Sequence, residues 1–163
     1  MTISIRPGRE AARDPSALED TDLVVVGPGP TDPERAGIVD VIHAAARLRL
    51  PLLGICLGHQ ALGLAYGARL VPVQPVHGKA STITFSASRL FPRTVGRHTV
   101  MRYHSLALEG IGAPLRVIAR TDDAIPMAIE HASLPLAGLQ FHPDSFGSPR
   151  GREMIADFFE AVR

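Results

Sequence analysis

The sequence predicts an α/β protein with an open, mostly parallel sheet flanked by helices and a small β-rich section. Two observations lead to this prediction. Short apolar runs alternate with amphipathic stretches over the first 66 residues, and such alternation is typical of parallel strands connected by helices. From about residue 70 to residue 130 the pattern changes to short β-rich segments separated by glycine, proline and polar residues.

The elements follow from these patterns in chain order. The first strands are predicted at 2–6, 23–26 and 52–55. The first helices are predicted at 34–48, where Asp32 and Pro33 form the start signal, and at 58–66. The β-rich section is predicted as strands at 70–73, 81–85, 98–102, 115–119 and 126–130. A strand at 137–141 then returns to the core sheet, and a helix at 151–162 follows with apolar residues at helical spacing.

Length and composition predict one globular domain, residues 1–163, because 45% of the residues are apolar and can fill a single core. The net charge is +1 and no basic block stands out, so the sequence does not indicate nucleic-acid binding. No apolar run approaches 18 residues, which argues against a membrane span. One cysteine cannot form an internal disulfide, which is typical of the reducing cytoplasm, and the seven histidines lack a paired zinc spacing.

The most informative motif is GICLG at residues 54–58, which places the only cysteine, Cys56, between a predicted strand and a predicted helix. Gly54 and Gly58 flank the cysteine, and small residues there permit the tight turn that presents a nucleophile. The helix N-terminus offers unpaired N–H groups, which favour a thiolate and can bind an oxyanion. The motif predicts a nucleophile; the alternative is a small buried apolar residue at a strand end.

The candidate base is His142, which ends the apolar run LAGLQF just before Pro143. Proline restricts the preceding residue to extended backbone and cannot continue a central strand, so the imidazole is expected at the carboxyl end of the sheet. Asp144 could accept the second ring N–H and fix the tautomer, completing a triad with Cys56. The alternative is that His142 and Asp144 are ordinary polar residues of a surface loop.

Four motifs in one order resemble a known family. They are GICLGHQ at 54–60, HGK at 77–79, RYHSL at 102–106 and QFHPDS at 140–145. Together they resemble the class I glutamine amidotransferases, and most closely the glutaminase components of anthranilate synthase, aminodeoxychorismate synthase and the related phenazine-pathway enzyme. The similarity runs from about residue 3 to residue 162. The HGK run favours this chorismate-linked branch, and MAIEH at 127–131 favours anthranilate synthase within it.

The resemblance implies a flavodoxin-like fold and a reaction. In this family a cysteine attacks the side-chain amide of L-glutamine, releases ammonia and leaves a glutamyl thioester that water hydrolyses. The ammonia passes to a chorismate-utilising synthase, which is a separate subunit or a fused domain. No cofactor or metal is expected in this domain, whereas magnesium is expected in the synthase partner.

The resemblance also implies individual roles. The triad would be the nucleophile Cys56, the general base and acid His142, and the orienting carboxylate Asp144. The oxyanion hole would be formed by the backbone N–H groups of Gly29 and Leu57. The substrate glutamine would be held by Thr31, Gln60, Ser105 and Leu106, and the partner interface would include His77 and Lys79.

Several of these assignments have simpler alternatives. Gln60 could face solvent in the first turns of a helix, and Ser105 could be a turn residue. The segment His77-Gly78-Lys79 could be a hairpin loop. Gly29 belongs to the run VVVGPGP, which could be an ordinary strand-to-helix connection.

Three departures from the family pattern bear on activity. Asp144 stands where the family usually has glutamate, one methylene longer, and Thr31 stands where it has glycine. A positive φ or a close backbone approach at that second position would suit threonine poorly. The resemblance also places the segment 2–6 at the family's second strand, so the family's first strand and helix are expected to be missing, leaving a sheet edge exposed.

These departures keep two other functions open. One is a catalytically weakened domain that binds or regulates a synthase without hydrolysing glutamine. The other is a related cysteine hydrolase that acts on a different amide, such as a gamma-glutamyl peptide; the HGK and YHSL runs argue against it.

Overall fold

A computed structural model of the chain describes residues 3–163. Seven strands form one open sheet in the order β1-β2-β7-β6-β5-β3-β4. The strands are β1 Val24–Val26, β2 Leu52–Ile55, β3 Arg69–Phe85, β4 Gly96–Glu109, β5 Leu115–Thr121, β6 Pro126–His131 and β7 Leu136–Leu139. The helices are α1 Gly8–Arg13, α2 Ile38–Leu48, α3 Leu57–Ala65 and α4 Gly151–Ala161, with a 3-10 helix at Pro15–Leu18.

The sheet confirms the predicted open α/β fold, but two of its six strand pairings are parallel and four are antiparallel, so the parallel part is smaller than predicted. β1, β2 and β7 pair in parallel, whereas β7-β6, β6-β5, β5-β3 and β3-β4 pair antiparallel. Short connections join the antiparallel strands, whereas parallel neighbours need a longer crossover. The β-rich section is therefore not separate from the core: it extends the same sheet beyond the parallel strands.

β2 lies between β1 and β7, and all of its residues are buried. The core therefore covers both faces of the sheet. Leu53 packs on the face that carries Phe85, Phe141 and α4. Leu52 packs on the opposite face, under α2 and α3. Two helix-covered faces hold β2 and β7 rigidly side by side, and their carboxyl ends therefore lie together at one edge.

Two predicted elements were wrong. Residues 3–6 are not a strand: Ile3 and Ile5 are exposed, and no described strand pairs with them. The pattern Ile-x-Ile alone is too short to form a strand without a partner. β1 is consequently at one end of the strand order, and its Val25 is half exposed, as expected of a sheet edge.

The segment His77-Gly78-Lys79 is not a hairpin loop either. It lies inside β3, a single strand of 17 residues where two short strands were predicted. The register against β4 shifts between His77 and Lys79, and Gly78 has φ +66°, so the glycine absorbs a bulge instead of a turn. Pairing then continues to Phe85.

Within residues 3–163, no helix is long and apolar enough to cross a membrane. The same residues contain no group of three histidine, cysteine, aspartate or glutamate side chains arranged to hold a metal ion.

Candidate active site

Cys56 lies at a sharp bend between β2 and α3. Its backbone has φ 54° and ψ −97°, a conformation that non-glycine residues seldom adopt, and it directly precedes the first residue of α3. Its N–H donates to the carbonyl of Leu139 in β7 at 2.8 Å. The bend that the GICLG motif predicts is therefore present, and it is fixed to the end of the neighbouring strand.

The two glycines of the motif, Gly54 and Gly58, are required for steric reasons. A Cβ added at Gly54 would lie 2.4 Å from the carbonyl carbon of Gly58. A Cβ added at Gly58 would lie 2.3 Å from the carbonyl oxygen of Val26 in β1. Both contacts are with backbone, which cannot move aside as a flexible side chain can. The bend is thus possible only because both flanking positions lack a side chain.

The thiol of Cys56 is mostly enclosed, with 9% of the residue exposed. Burial raises the pKa of the Cys56 thiol, and the backbone N–H of Leu57 opposes this increase only in part. The helix N-terminus therefore acts in the predicted direction, by lowering the pKa of the thiol, without reversing the effect of burial. Desolvation outweighs the helix N-terminus here, so the sulfur carries its proton until a base removes it.

The predicted oxyanion donors lie next to each other. A Cβ added at Gly29 would lie 2.9 Å from the Cδ2 atom of Leu57, so the loop after β1 passes directly over the first residue of α3. Leu57 follows the nucleophile as the first residue of α3, and its N–H interacts with the Cys56 thiol. Gly29 and Leu57 are thus neighbours beside Cys56, and their oxyanion role stays a prediction.

A layer of amide side chains lies beneath the thiol. Gln60 is buried, so the alternative that it faces solvent was wrong, and its Nε2 donates to the Leu106 carbonyl at 3.4 Å and to Oε1 of Gln140 at 3.3 Å. Gln140 is fully buried, and its Nε2 lies 3.8 Å from Sγ of Cys56. Gln140 begins the motif QFHPDS, but no role was predicted for it from the sequence. The signal in the sequence that could have identified it is a polar residue directly after the apolar run LAGL.

His142 follows β7 by three residues and is held mainly through its backbone. Its N–H donates to the Met101 carbonyl at 3.0 Å. The Ser148 hydroxyl donates to the His142 carbonyl at 2.7 Å and accepts from the Met101 N–H at 2.9 Å. The imidazole meets the edge of the Tyr103 ring, with 5.0 Å between the ring centroids. Burial lowers the pKa of His142, and Asp144 acts in the opposite direction, so the ring is a neutral base near pH 7.

Asp144 is close to His142 without forming the predicted hydrogen bond. Its Oδ1 lies 3.7 Å from Nδ1 of His142, whereas an N–H···O bond requires about 2.9 Å. Its side chain is 67% exposed. In the free chain the expected orienting bond is thus not made, because the carboxyl group lies beyond hydrogen-bond distance of the ring nitrogen.

The remaining predicted residues lie on β4, on β3 and in the loop after β1. Ser105 and Leu106 lie within β4, so the alternative that Ser105 is a turn residue was wrong. Thr31 is exposed and is not among the residues with positive φ, so its backbone accommodates a β-branched side chain. His77 and Lys79 are exposed on β3 beside Tyr103.

The fold and the site define a class: an α/β protein with a cysteine on a strand-to-helix bend and a histidine after the adjacent strand. Residues 2–162 match the family described as class-I glutamine amidotransferase. The chain belongs to this family, as its motifs predicted.

Relatives agree with this family, and a solved structure agrees with the fold. The chain is 41% identical over 141 residues to anthranilate synthase component 2 of Mycobacterium tuberculosis, covering 84% of this chain and 61% of the relative. It is 42% identical over 139 residues to aminodeoxychorismate synthase component 2 of Escherichia coli, covering 83% and 74%. A Thermoplasma acidophilum structure, provisionally named as part of a GMP synthase, gives a TM-score of 0.82 at 21% identity, covering 91% and 76%, and indicates the fold alone. The chain thus spans about three fifths of the M. tuberculosis relative.

Proposed function

We propose that this chain is a glutaminase: it hydrolyses L-glutamine through a thioester on Cys56 and delivers ammonia to a chorismate-aminating synthase, specifically anthranilate synthase. The observation that carries the proposal is the bend at Cys56, with the Leu57 N–H and Gly29 beside it and a buried layer of amides beneath it. A cysteine that is merely a small core residue does not require this strained backbone. Relatives named as components of chorismate-aminating synthases support the choice of reaction.

The raised thiol pKa and the lowered imidazole pKa indicate how the reaction starts. The resting pair is a neutral thiol and a neutral imidazole, so His142 takes the thiol proton as Sγ attacks the amide carbon. The N–H groups of Leu57 and Gly29 receive the resulting oxyanion. His142 then returns the proton to the leaving nitrogen, which departs as ammonia and leaves the thioester. Attack by water, again assisted by His142, releases glutamate and restores the thiol.

Gln60 is proposed to recognise the amino-acid end of the substrate. Its Nε2 donates to Leu106 and to Gln140, so its carbonyl oxygen can accept a hydrogen bond from the α-ammonium group of glutamine. Leu106 and Ser105 are consecutive residues of β4, the strand whose Leu106 carbonyl accepts a hydrogen bond from Gln60. We expect a loss of Gln60 to raise KM more than it lowers kcat.

The proposed synthase interface surrounds His142. The loop His142–Ser148 packs on one face of β4, with Gly147 against Met101 and the His142 ring against Tyr103. Its tip exposes Phe146, 95% accessible, and the HGK bulge borders Tyr103. An aromatic ring held in solvent by a hydrogen-bonded loop favours a partner contact, because little entropy is lost on binding. We expect Phe146→Ala to weaken synthase binding at least tenfold.

The proposed function also implies which cofactors are needed and where the protein is located. The ammonia-forming half-reaction needs no cofactor in this domain, and magnesium is proposed to act in the synthase partner. A cytoplasmic location is proposed because the nucleophile is a free cysteine, which must stay reduced.

The test compares the wild-type chain with Cys56→Ser in the presence of the synthase from the same organism. Glutamate release and glutamine-dependent anthranilate formation are measured together, and free ammonium serves as the control for synthase activity. We expect the wild type to support both reactions and Cys56→Ser to reduce both by at least about 10³-fold, with ammonium-dependent synthesis unchanged. Equal glutamate release by the two proteins would contradict the proposal.

A second candidate function is the weakened domain that binds a synthase without hydrolysing glutamine. The distance of 3.7 Å between His142 and Asp144 favours it, because the imidazole is then not oriented by a carboxylate. In the same experiment this function predicts that the wild type, like Cys56→Ser, releases no glutamate and that the synthase works with ammonium alone.

A further inference from the structure

We propose that Gln140 is a further catalytic residue, whose side-chain N–H holds the sulfur of Cys56 for attack and stabilises the negative charge that forms there. The inference rests on the proposed glutaminase function. It concerns a contact with the reacting atom itself, because Nε2 of Gln140 lies 3.8 Å from Sγ.

The hydrogen-bond pattern fixes which end of the Gln140 amide faces the sulfur. The Leu106 carbonyl can only accept, so Gln60 must direct its NH₂ group towards it. The same NH₂ group donates to Gln140, which must therefore present its oxygen to Gln60. The NH₂ group of Gln140 is left facing Cys56. The backbone carbonyl of Leu106 thus sets both amides, and the contact with sulfur is an N–H donor and not an oxygen.

The position of Gln140 is determined by the sheet. Its backbone N–H donates to the Met127 carbonyl at 2.9 Å, and the side chain is completely enclosed. Burying an amide costs free energy unless its polar atoms are paired, and here the oxygen pairs with Gln60 while the N–H group faces only a thiol. A neutral thiol is a weak acceptor. The contact becomes strong once the sulfur is charged, because hydrogen bonds to an ion are about twice as strong as neutral ones.

The negative charge on the sulfur forms when the thiol loses its proton, and burial of the thiol opposes this step. Sγ becomes anionic as His142 takes its proton, in a site where desolvation disfavours the thiolate. A donor fixed before the reaction stabilises the new charge without reorganisation. The series of hydrogen bonds from Leu106 through Gln60 and Gln140 to Cys56 also links the substrate-binding side of the pocket to the nucleophile.

The test uses the fact that Cys56 is the only cysteine. Its alkylation by iodoacetamide is followed by intact mass from pH 7 to pH 11.5, with the folded state checked at each pH, because burial already raises the pKa of the thiol. Three proteins are compared: wild type, Gln140→Met and Gln140→Glu. Methionine keeps the length and removes the donor, and glutamate keeps the shape and places an acceptor at the sulfur. We expect the midpoint of alkylation to rise by about one pH unit in Gln140→Met, corresponding to about tenfold less thiolate. A larger rise is expected in Gln140→Glu.

Gln60→Met is the comparison variant: it keeps the Gln140 NH₂ group but removes the donor that orients the Gln140 amide, so it should have the same effect on the thiol to a smaller extent. Its alkylation midpoint should move by less than half as much as that of Gln140→Met. In glutamine hydrolysis, Gln140→Met should lower kcat at least tenfold with KM within about threefold, whereas Gln60→Met should raise KM.

Unchanged alkylation midpoints in both Gln140 variants would overturn the inference and reduce Gln140 to a space-filling role. The glutamate variant decides the matter if the methionine variant does not fold. The outcome is separable from the proposed function: if the wild type releases no glutamate while the midpoints still shift, the glutaminase function fails and the Gln140 contact stands.

Discussion

The two sides of the active site are built in different ways. The nucleophile side, residues 54–60 with Gln140, is buried. It is fixed by close backbone packing at its two glycines, by the Cys56–Leu139 backbone hydrogen bond of 2.8 Å and by two buried amides. The base side, the loop His142–Ser148, has a fixed backbone but carries Asp144 and Phe146 in solvent, and its His142–Asp144 contact is too long for a hydrogen bond. The fold alone therefore positions the nucleophile, whereas the orientation of the base can still be altered by a partner or a substitution.

Breaking the nucleophile side should have the largest effect. A methyl group at Gly58 would collide with the Val26 carbonyl, so Gly58→Ala must displace the bend. We expect a loss of about 3 kcal/mol in the free energy of unfolding and at least 100-fold in glutaminase activity. Urea denaturation and glutamate release measure the two effects. Gly112→Ala, where a methyl group meets nothing within 4 Å, is the matched control and should change stability by less than about 0.5 kcal/mol; equal losses in both variants would contradict this account.

Acid should destabilise both sides. Burial lowers the pKa of His59, in α3 on the nucleophile side, to about 3, and that of His104, in β4, to about 4. Their ordinary value is 6.5, so below that pH the unfolded chain binds protons that the folded chain does not, and stability falls as pH falls. Between pH 7.5 and 5.5 we expect a loss of about 3 kcal/mol in the free energy of unfolding, shared about equally by the two groups.

Urea denaturation at the two pH values tests this expectation. His104→Gln, which removes one of the two groups, should show about half the loss. A free energy of unfolding that stays constant over this interval would show that the two imidazoles are not held neutral by burial.

Lengthening the carboxylate should sharpen the base side. In Asp144→Glu one additional methylene brings the carboxyl group towards Nδ1 of His142, closing the present gap of 3.7 Å. We expect kcat for glutamine hydrolysis to rise by up to about tenfold, because an oriented imidazole is a better base. Asp144→Asn, which is isosteric, should change kcat by less than about threefold. A lower kcat in Asp144→Glu would show that Asp144 already acts at its present distance.

The smallest expected effect concerns the backbone of the base loop. Ser148→Ala removes the hydroxyl that links the His142 carbonyl to the Met101 N–H. The N–H group is then left buried without this partner, and we expect a loss of about 1 kcal/mol in stability. Thermal unfolding measures it, and Ser145→Ala in the same loop is the control, since only its backbone takes part in the loop hydrogen bonds. Equal losses would assign the effect to the loop in general.

The sequence predicted best those features that depend on local residue types. The apolar run 52–55 is a strand with the predicted bounds, and the two glycines around Cys56 mark the bend because their lack of a Cβ is a steric requirement. Features that depend on contacts between distant elements were not predictable. The β3 strand runs through HGK because β4 supplies pairing partners on both sides of the bulge. The contact of Gln140 with Cys56 and the gap at Asp144 likewise depend on distances between side chains, which spacing in the sequence alone does not give.

The central claim, that Cys56 is a nucleophile in a glutamine pocket, is tested most directly by trapping with 6-diazo-5-oxo-norleucine, a glutamine analogue, read by intact mass. Iodoacetamide is the control for a thiol that is merely accessible, and the synthase partner is added in a parallel sample. We predict a single adduct on Cys56 that L-glutamine prevents. Modification by iodoacetamide but not by the analogue, even with the synthase present, would contradict the claim and favour a domain that binds a synthase without catalysis.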